Sequence, residues 1–117
     1  MPGEGVRVES QSLTKHFNEA LILASLERGP KHGYQLALDI EERSRERFGF
    51  KHGTLYPILH KLEKEGLIQG AWSDEGQRGK RKQYVLTPDG VRYLGELRGS
   101  WDDLMKRFAD VIGEDKK

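Results

Sequence analysis

Residues 52–66, "HGTLYPILHKLEKEG", decide the fold. Leu55, Ile58, Leu59 and Leu62 fall at i, i+3, i+4 and i+7, which is one buried face of a helix. Thr54 can cap the N-terminus, which puts Pro57 at the third helical position, where a missing N–H has no partner to lose. Gly66 suits the residue after the C-terminal cap, and Leu67 then meets Leu62 as in a Schellman ending. The other side of this short helix carries Thr54, Tyr56, Pro57, His60, Lys61 and Lys64. What that polar side meets fixes what the protein does.

Upstream, Leu13, Phe17, Leu21 and Ala24 recur at helical spacing, so a first helix starts at Ser12 and stops at Gly29-Pro30. Ala20, Ile22, Leu23 and Leu26 make it apolar on more than one side. A second helix is expected from Gly33 to about Arg47, with Ala37 and Ile40 inward and a charged outer half, "EERSRER". Downstream, "LIQGAWS" and "KQYVLT" flank the polar loop "DEGQRGKR", a β-hairpin with a long tip. Thr87-Pro88 then opens a last helix, with an N-cap followed by proline in the first helical position. In it Leu94, Leu97, Trp101, Leu104, Phe108 and Val111 are spaced 3, 4, 3, 4, 3, an a/d seam.

Composition removes whole classes of function. The chain has 117 residues, enough for one domain with a modest core, and only 35% are hydrophobic while 33% are charged. So polar a chain has reason to oligomerise. With no cysteine, disulfides, thiolate metal sites and cysteine nucleophiles are excluded together. No apolar run reaches the roughly 18 residues of a membrane span, and "MPGEGVRVESQ" lacks the apolar core of a signal peptide, so a cytoplasmic location and no membrane partner are expected. None of His16, His32, His52 and His60 lies four residues from another, and neither a metal motif nor a cofactor motif is present. No phosphate-binding glycine loop or nucleophile motif occurs, so the chain is not expected to be an enzyme. Net charge is only +1, yet "RGKRK" at residues 78–82 places four cations in five positions.

Three short helices, a hairpin and a long helix make a mainly α fold with a small β-hairpin. This is the layout of a winged helix-turn-helix plus a long C-terminal dimerisation helix. Its expected organisation is a flexible tail over 1–11, the winged helix over 12–87, the dimerisation helix over 88–113 and a short tail over 114–117. In that layout the third helix enters the major groove of double-stranded DNA and the hairpin, the wing, lies along the backbone, which accounts for the basic cluster at its tip. Thr54, Tyr56, Pro57 and His60 then face bases or phosphates, and Lys61 and Lys64 meet phosphates. Glu63 and Glu65 belong away from the duplex. His32 and Tyr34, at the N-terminus of the second helix, are candidates for a phosphate contact, and Arg78, Lys80, Arg81 and Lys82 are the wing cations. The rival reading is a winged-helix protein–protein adaptor that never touches DNA; the basic wing and the third-helix lysines argue against it.

The sequence also resembles the PadR-like transcriptional regulators, through "GPKHGYQLALDIEER", "GTLYPILHKLEKEGLI", the basic wing and "YVLTPDG". Gln83 and Lys80 depart from the commonest wording of the wing. The resemblance covers residues 18–95 and implies a homodimeric DNA-binding regulator, usually a repressor, of the small subgroup with a single C-terminal helix. A two-fold dimer through the seam implies a pseudo-palindromic operator. The subgroup also implies that Trp101, in the middle of the seam, contacts a small hydrophobic or aromatic effector, with Gly95 and Gly99 leaving room nearby.

Overall fold

The computed structural model describes residues 10–73 and 81–113. Helix α1 (Ser10–Glu27) is followed by a two-residue strand β1 (Lys31–His32), helix α2 (Gly33–Arg43), helix α3 (His52–Lys64), strands β2 (Ile68–Ser73) and β3 (Arg81–Leu86), and helix α4 (Pro88–Ile112). It is the expected winged helix, with one strand more than the hairpin. β3 lies between β1 and β2, antiparallel to both.

The core draws on every helix and on two strands. Ile22, Leu23 and Leu26 of α1 meet Leu36 and Ile40 of α2, Leu55, Leu59 and Leu62 of α3, Ile68 of β2, Tyr84 of β3, and Leu94 and Leu97 of α4. α1 begins at Ser10, two residues earlier than its apolar spacing indicates. It ends where Gly29 takes φ 140°, a conformation side chains resist.

α2 stops at Arg43, about four residues short of the expected end. Ser44 Oγ accepts the Phe48 N–H at 3.0 Å, and Arg45 and Glu46 both adopt left-handed φ, 54° and 66°. This reversal carries Phe48 back onto Phe17, ring centroids 4.8 Å apart and edge to face.

α3 starts three residues earlier than expected. Lys51 is its N-cap, so Thr54 is the third helical residue and not the cap, and its N–H bonds the Lys51 carbonyl at 2.9 Å. Pro57 is therefore the sixth helical residue and forfeits one helical hydrogen bond. The C-terminus is as the sequence indicates. Gly66 has φ 80°, its N–H reaches the Glu63 carbonyl, and the Leu67 N–H reaches that of Leu62, both at 3.0 Å.

That ending is tied to the start of α4. Thr87 Oγ1 accepts the Gly90 N–H at 3.0 Å and donates to the Gly66 carbonyl at 2.7 Å. Gly90 packs so closely that a Cβ there would lie 2.1 Å from the Leu67 carbonyl oxygen. Farther along, the Tyr93 hydroxyl donates to Glu19 Oε1 at 2.6 Å, joining α4 to α1. Glu19 is only 2% exposed. Burial first, and this hydrogen bond second, push the Tyr93 hydroxyl's pKa well above its ordinary value. Beyond Trp101 the side chains of α4 are mostly exposed, and the longest dimension of the molecule is 61 Å.

Candidate nucleic-acid interface

The N-terminus of α2, the outer side of α3 and the base of the β2–β3 wing enclose an open groove of about 640 Å³. Its floor is Tyr56, whose ring lies over Gly33. A Cβ at residue 33 would stand 2.3 Å from the Tyr56 hydroxyl, so only glycine admits the tyrosine there. His52 tilts against Tyr56 at 4.6 Å. On the wing side His32 and Tyr34 stack nearly parallel, 6.1 Å apart. The Arg81 guanidinium sits 5.2 Å above the Tyr34 ring and donates to its hydroxyl at 3.1 Å. Neither of these contacts neutralises Arg81.

Lys82 is held differently. Its ammonium donates to Glu63 Oε1 at 2.8 Å, and Glu63 Oε2 accepts the Gly70 N–H at 3.3 Å. The ammonium also lies 5.5 Å from the Trp72 ring and 5.7 Å from that of Tyr84. Gly70 makes room for this cluster, since a Cβ there would come 2.5 Å from Lys82 Cε. The Lys82 hydrogen bond holds the Glu63 carboxyl below its ordinary pKa, and the same bond raises that of Lys82. Wing and third helix are thereby joined through a charge pair.

A second groove, of about 610 Å³, lies between α1, the α2–α3 turn and α4. Leu21, Ala24, Ile40, Phe48, Leu94 and Trp101 give it an apolar lining. Phe17 packs edge to face on Trp101 at 5.6 Å. The arginines at its rim are paired: Arg28 and Arg43 with Asp39, and Arg98 with Glu27 at 2.7 Å. Burial raises the Asp39 pKa, but hydrogen bonds from Ser25 and Arg28 outweigh it, and the carboxyl ends below its ordinary value.

Comparison with known proteins gives this geometry a family. The model of the "Transcriptional regulator PadR-like family" matches residues 22–96, which spans all of α2, α3 and the wing. The chain belongs to the PadR-like family. It is 32% identical over 107 residues to a Lysinibacillus sphaericus protein called uncharacterized protein X, covering 92% of this chain and 96% of that one. To the negative transcriptional regulator PadR of Bacillus subtilis it is 33% identical over 73 residues, 62% of this chain but 40% of that protein. The crystal structure of a PadR family transcription regulator from Clostridium difficile superposes with a TM-score of 0.71 at 31% identity, covering 83% of this chain and 99% of that one. Members of the PadR-like family are transcriptional regulators, not enzymes. Among the described residues no helix is long and apolar enough to cross a membrane.

Within this PadR-like frame the expected site residues divide. Thr54, Pro57, His60, Lys61 and Lys64 are exposed on one side of α3, Tyr56 is half-buried beneath them, and Tyr34 is 48% exposed at the groove edge. His32 lines the groove but is only 8% exposed, with Nδ1 3.2 Å from the Lys82 carbonyl and its ring stacked on Tyr34. Lys82 is likewise not a free wing cation, and Glu63 is not remote, since each neutralises the other across the wing base. Arg78 and Lys80 lie outside the described residues.

The seam divides as well. Leu94 and Leu97 are buried in the core of their own domain, because the first half of α4 packs on α1, so they cannot form the seam with a second chain. Trp101 and Leu104 are half-buried, while Phe108 is 53% and Val111 82% exposed. Gly95 and Gly99 do not line the groove at Trp101; a Cβ at either would meet no atom within 4 Å. Trp72, on the wing, is 65% exposed beside the first groove. In the sequence it has no mark beyond its place in an apolar run.

Proposed function

We propose that this PadR-like chain is a sequence-specific DNA-binding repressor that works as a homodimer on a pseudo-palindromic operator. The observation that carries the reading is the uninterrupted surface of Tyr34, Arg81 and the exposed side of α3, which joins a helix able to enter a major groove to a cationic wing. Thr54, Tyr56, Pro57 and His60 supply groups for base edges and phosphates, and Lys61, Lys64 and Arg81 supply phosphate charge. Repression follows the named role of the Bacillus subtilis relative.

The distal half of α4 supports the dimer. Met105, Phe108, Val111 and Ile112 are large apolar side chains exposed on the stretch of α4 beyond Trp101. A second copy is the economical cover, and it would set two α3 helices about 34 Å apart, one turn of duplex. The groove at Trp101 is of a size for a small ligand, and its apolar lining with charge-paired rim arginines suits a flat, uncharged aromatic effector whose binding releases the operator.

A gel-shift titration on DNA upstream of the chain's own coding region tests the DNA reading, with a retarded complex expected. No complex at any concentration that still gives a folded protein would leave the adaptor reading in its place. Sedimentation tests the dimer: a monomer at micromolar concentration refutes it. Quenching of Trp101 emission by planar aromatic compounds tests the effector, and unchanged emission refutes it.

A further inference from the structure

When α3 occupies a major groove and the wing the adjacent minor groove, the strand that divides the two grooves must pass between them. The open groove between α3 and the wing base lies on that path, so its lining says how the strand is held. The two ends of that lining differ in chemistry. At the Tyr34 end stands the Arg81 guanidinium, with no carboxylate against it among the described residues. At the Trp72 end the cation is already neutralised by Glu63, and what remains is an indole face at 65% exposure.

Trp72 is also prepared in position. Strand pairing sets it directly opposite Lys82, and its neighbour two residues back, Gly70, sits opposite Tyr84. Side chains two apart share a sheet face, so Trp72, Lys82 and Tyr84 form one layer, with the ammonium between the two rings. Glu63 fixes that ammonium from α3. An indole so held loses little freedom on binding, which favours its use as a contact surface.

We propose that this groove seats one sugar–phosphate strand of the duplex, with the phosphate toward Arg81 and the Trp72 indole packed on the adjoining deoxyribose. The inference rests on the DNA-binding reading above. The face of an indole has no donor for a phosphate, whereas the C–H edge of a deoxyribose gains from leaving water against an aromatic face. The contact carries no base information. It adds to affinity on every sequence, and because no counterion is released its contribution is the same at all salt concentrations.

The test is anisotropy titration of a labelled mixed-sequence duplex, long enough for two half-sites, over a range of salt, with wild type, Trp72→Ala and Trp72→Phe. Trp72→Ala binds about tenfold more weakly at every salt concentration, with the slope of log K against log salt unchanged. Trp72→Phe keeps an aromatic face and stays within about threefold of wild type. A change in tryptophan emission on adding duplex to wild type is absent in Trp72→Phe. Equal binding by wild type and Trp72→Ala overturns the seat while leaving DNA binding intact. A slope lowered by about 1.8 in Trp72→Ala, one phosphate contact in each half-site, also overturns it, because the side chain would then act through charge. A wild-type protein that binds no duplex overturns the DNA-binding reading along with it. Circular dichroism melts show that the alanine variant is folded, as expected for a side chain so exposed.

Discussion

Arg81 and Lys82 are adjacent in sequence and equal in charge, and the structure gives them opposite duties. The Arg81 guanidinium contacts only the ring and hydroxyl of Tyr34 among the described residues, so its charge is available to a phosphate. Lys82 is bonded to Glu63 at 2.8 Å, so neutralising a phosphate would require it to abandon that carboxylate. Each phosphate contact adds about 0.9 to the slope of log K against log salt on duplex DNA. A dimer with Arg81→Ala therefore loses about 1.8 in slope. Between 50 and 200 mM salt, a fourfold span, the gap between wild type and variant narrows by a factor of about twelve.

The matched control removes the pair together, Glu63→Gln with Lys82→Met, which leaves net charge unaltered. Its slope is expected to stay within about 0.3 of wild type. Lys82→Met alone strands a partly buried carboxylate and costs about 1 kcal/mol, or roughly 5 °C in Tm. Anisotropy titrations over a salt series, with thermal melts alongside, measure both quantities. An equal loss of slope in Arg81→Ala and the double variant would refute the division of labour, as would no loss in Arg81→Ala.

Four further outcomes are expected. Gly90→Ala places a methyl group 2.1 Å from a backbone oxygen that cannot rotate away, so despite a better helix former the melt should fall by about 1–3 kcal/mol. Gly95→Ala, in the same helix with open space around it, should be neutral or stabilising by up to about 1 kcal/mol, and destabilisation equal to that of Gly90→Ala would refute the argument. Tyr93→Phe takes the hydroxyl from the buried Glu19 carboxylate and should cost about 1–3 kcal/mol by denaturant titration, the cost of a buried acceptor left without its donor. Because Glu63 is depressed from its ordinary 4.5, its pairing stabilises the fold fully above that pH and is lost as pH falls through the lower folded value. Because Lys82 is raised from 10.5, the pairing is lost at the alkaline end only as pH rises through its higher folded value. The stability gap between wild type and Glu63→Gln should therefore be flat between those limits and close in acid, and a gap that persists below the carboxylate range would sink the assignment.

The sequence by itself determined what repeats locally. The stripe Leu55, Ile58, Leu59, Leu62, the glycine stop at Gly66 and the Thr87-Pro88 cap are written in spacings of a few residues, because helix periodicity and capping are local properties. From them came the winged-helix layout, the exposed side of α3 and the PadR-like wording. The two-residue strand β1 has no such signal. Lys31 and His32 pair with Tyr84 and Gln83, some fifty residues on, and a strand that short exists only because the partner is there. The same distance conceals the duty of Lys82: four cations in five positions look alike until folding brings Glu63 beside one of them. Leu94 and Leu97 fit the same 3, 4 spacing as Phe108 and Val111, and spacing cannot say which half of a helix its own domain will cover. Only packing on α1 decided that the first half is core and the second half is left for another surface, since burial belongs to the assembled chain and not to any stretch of it.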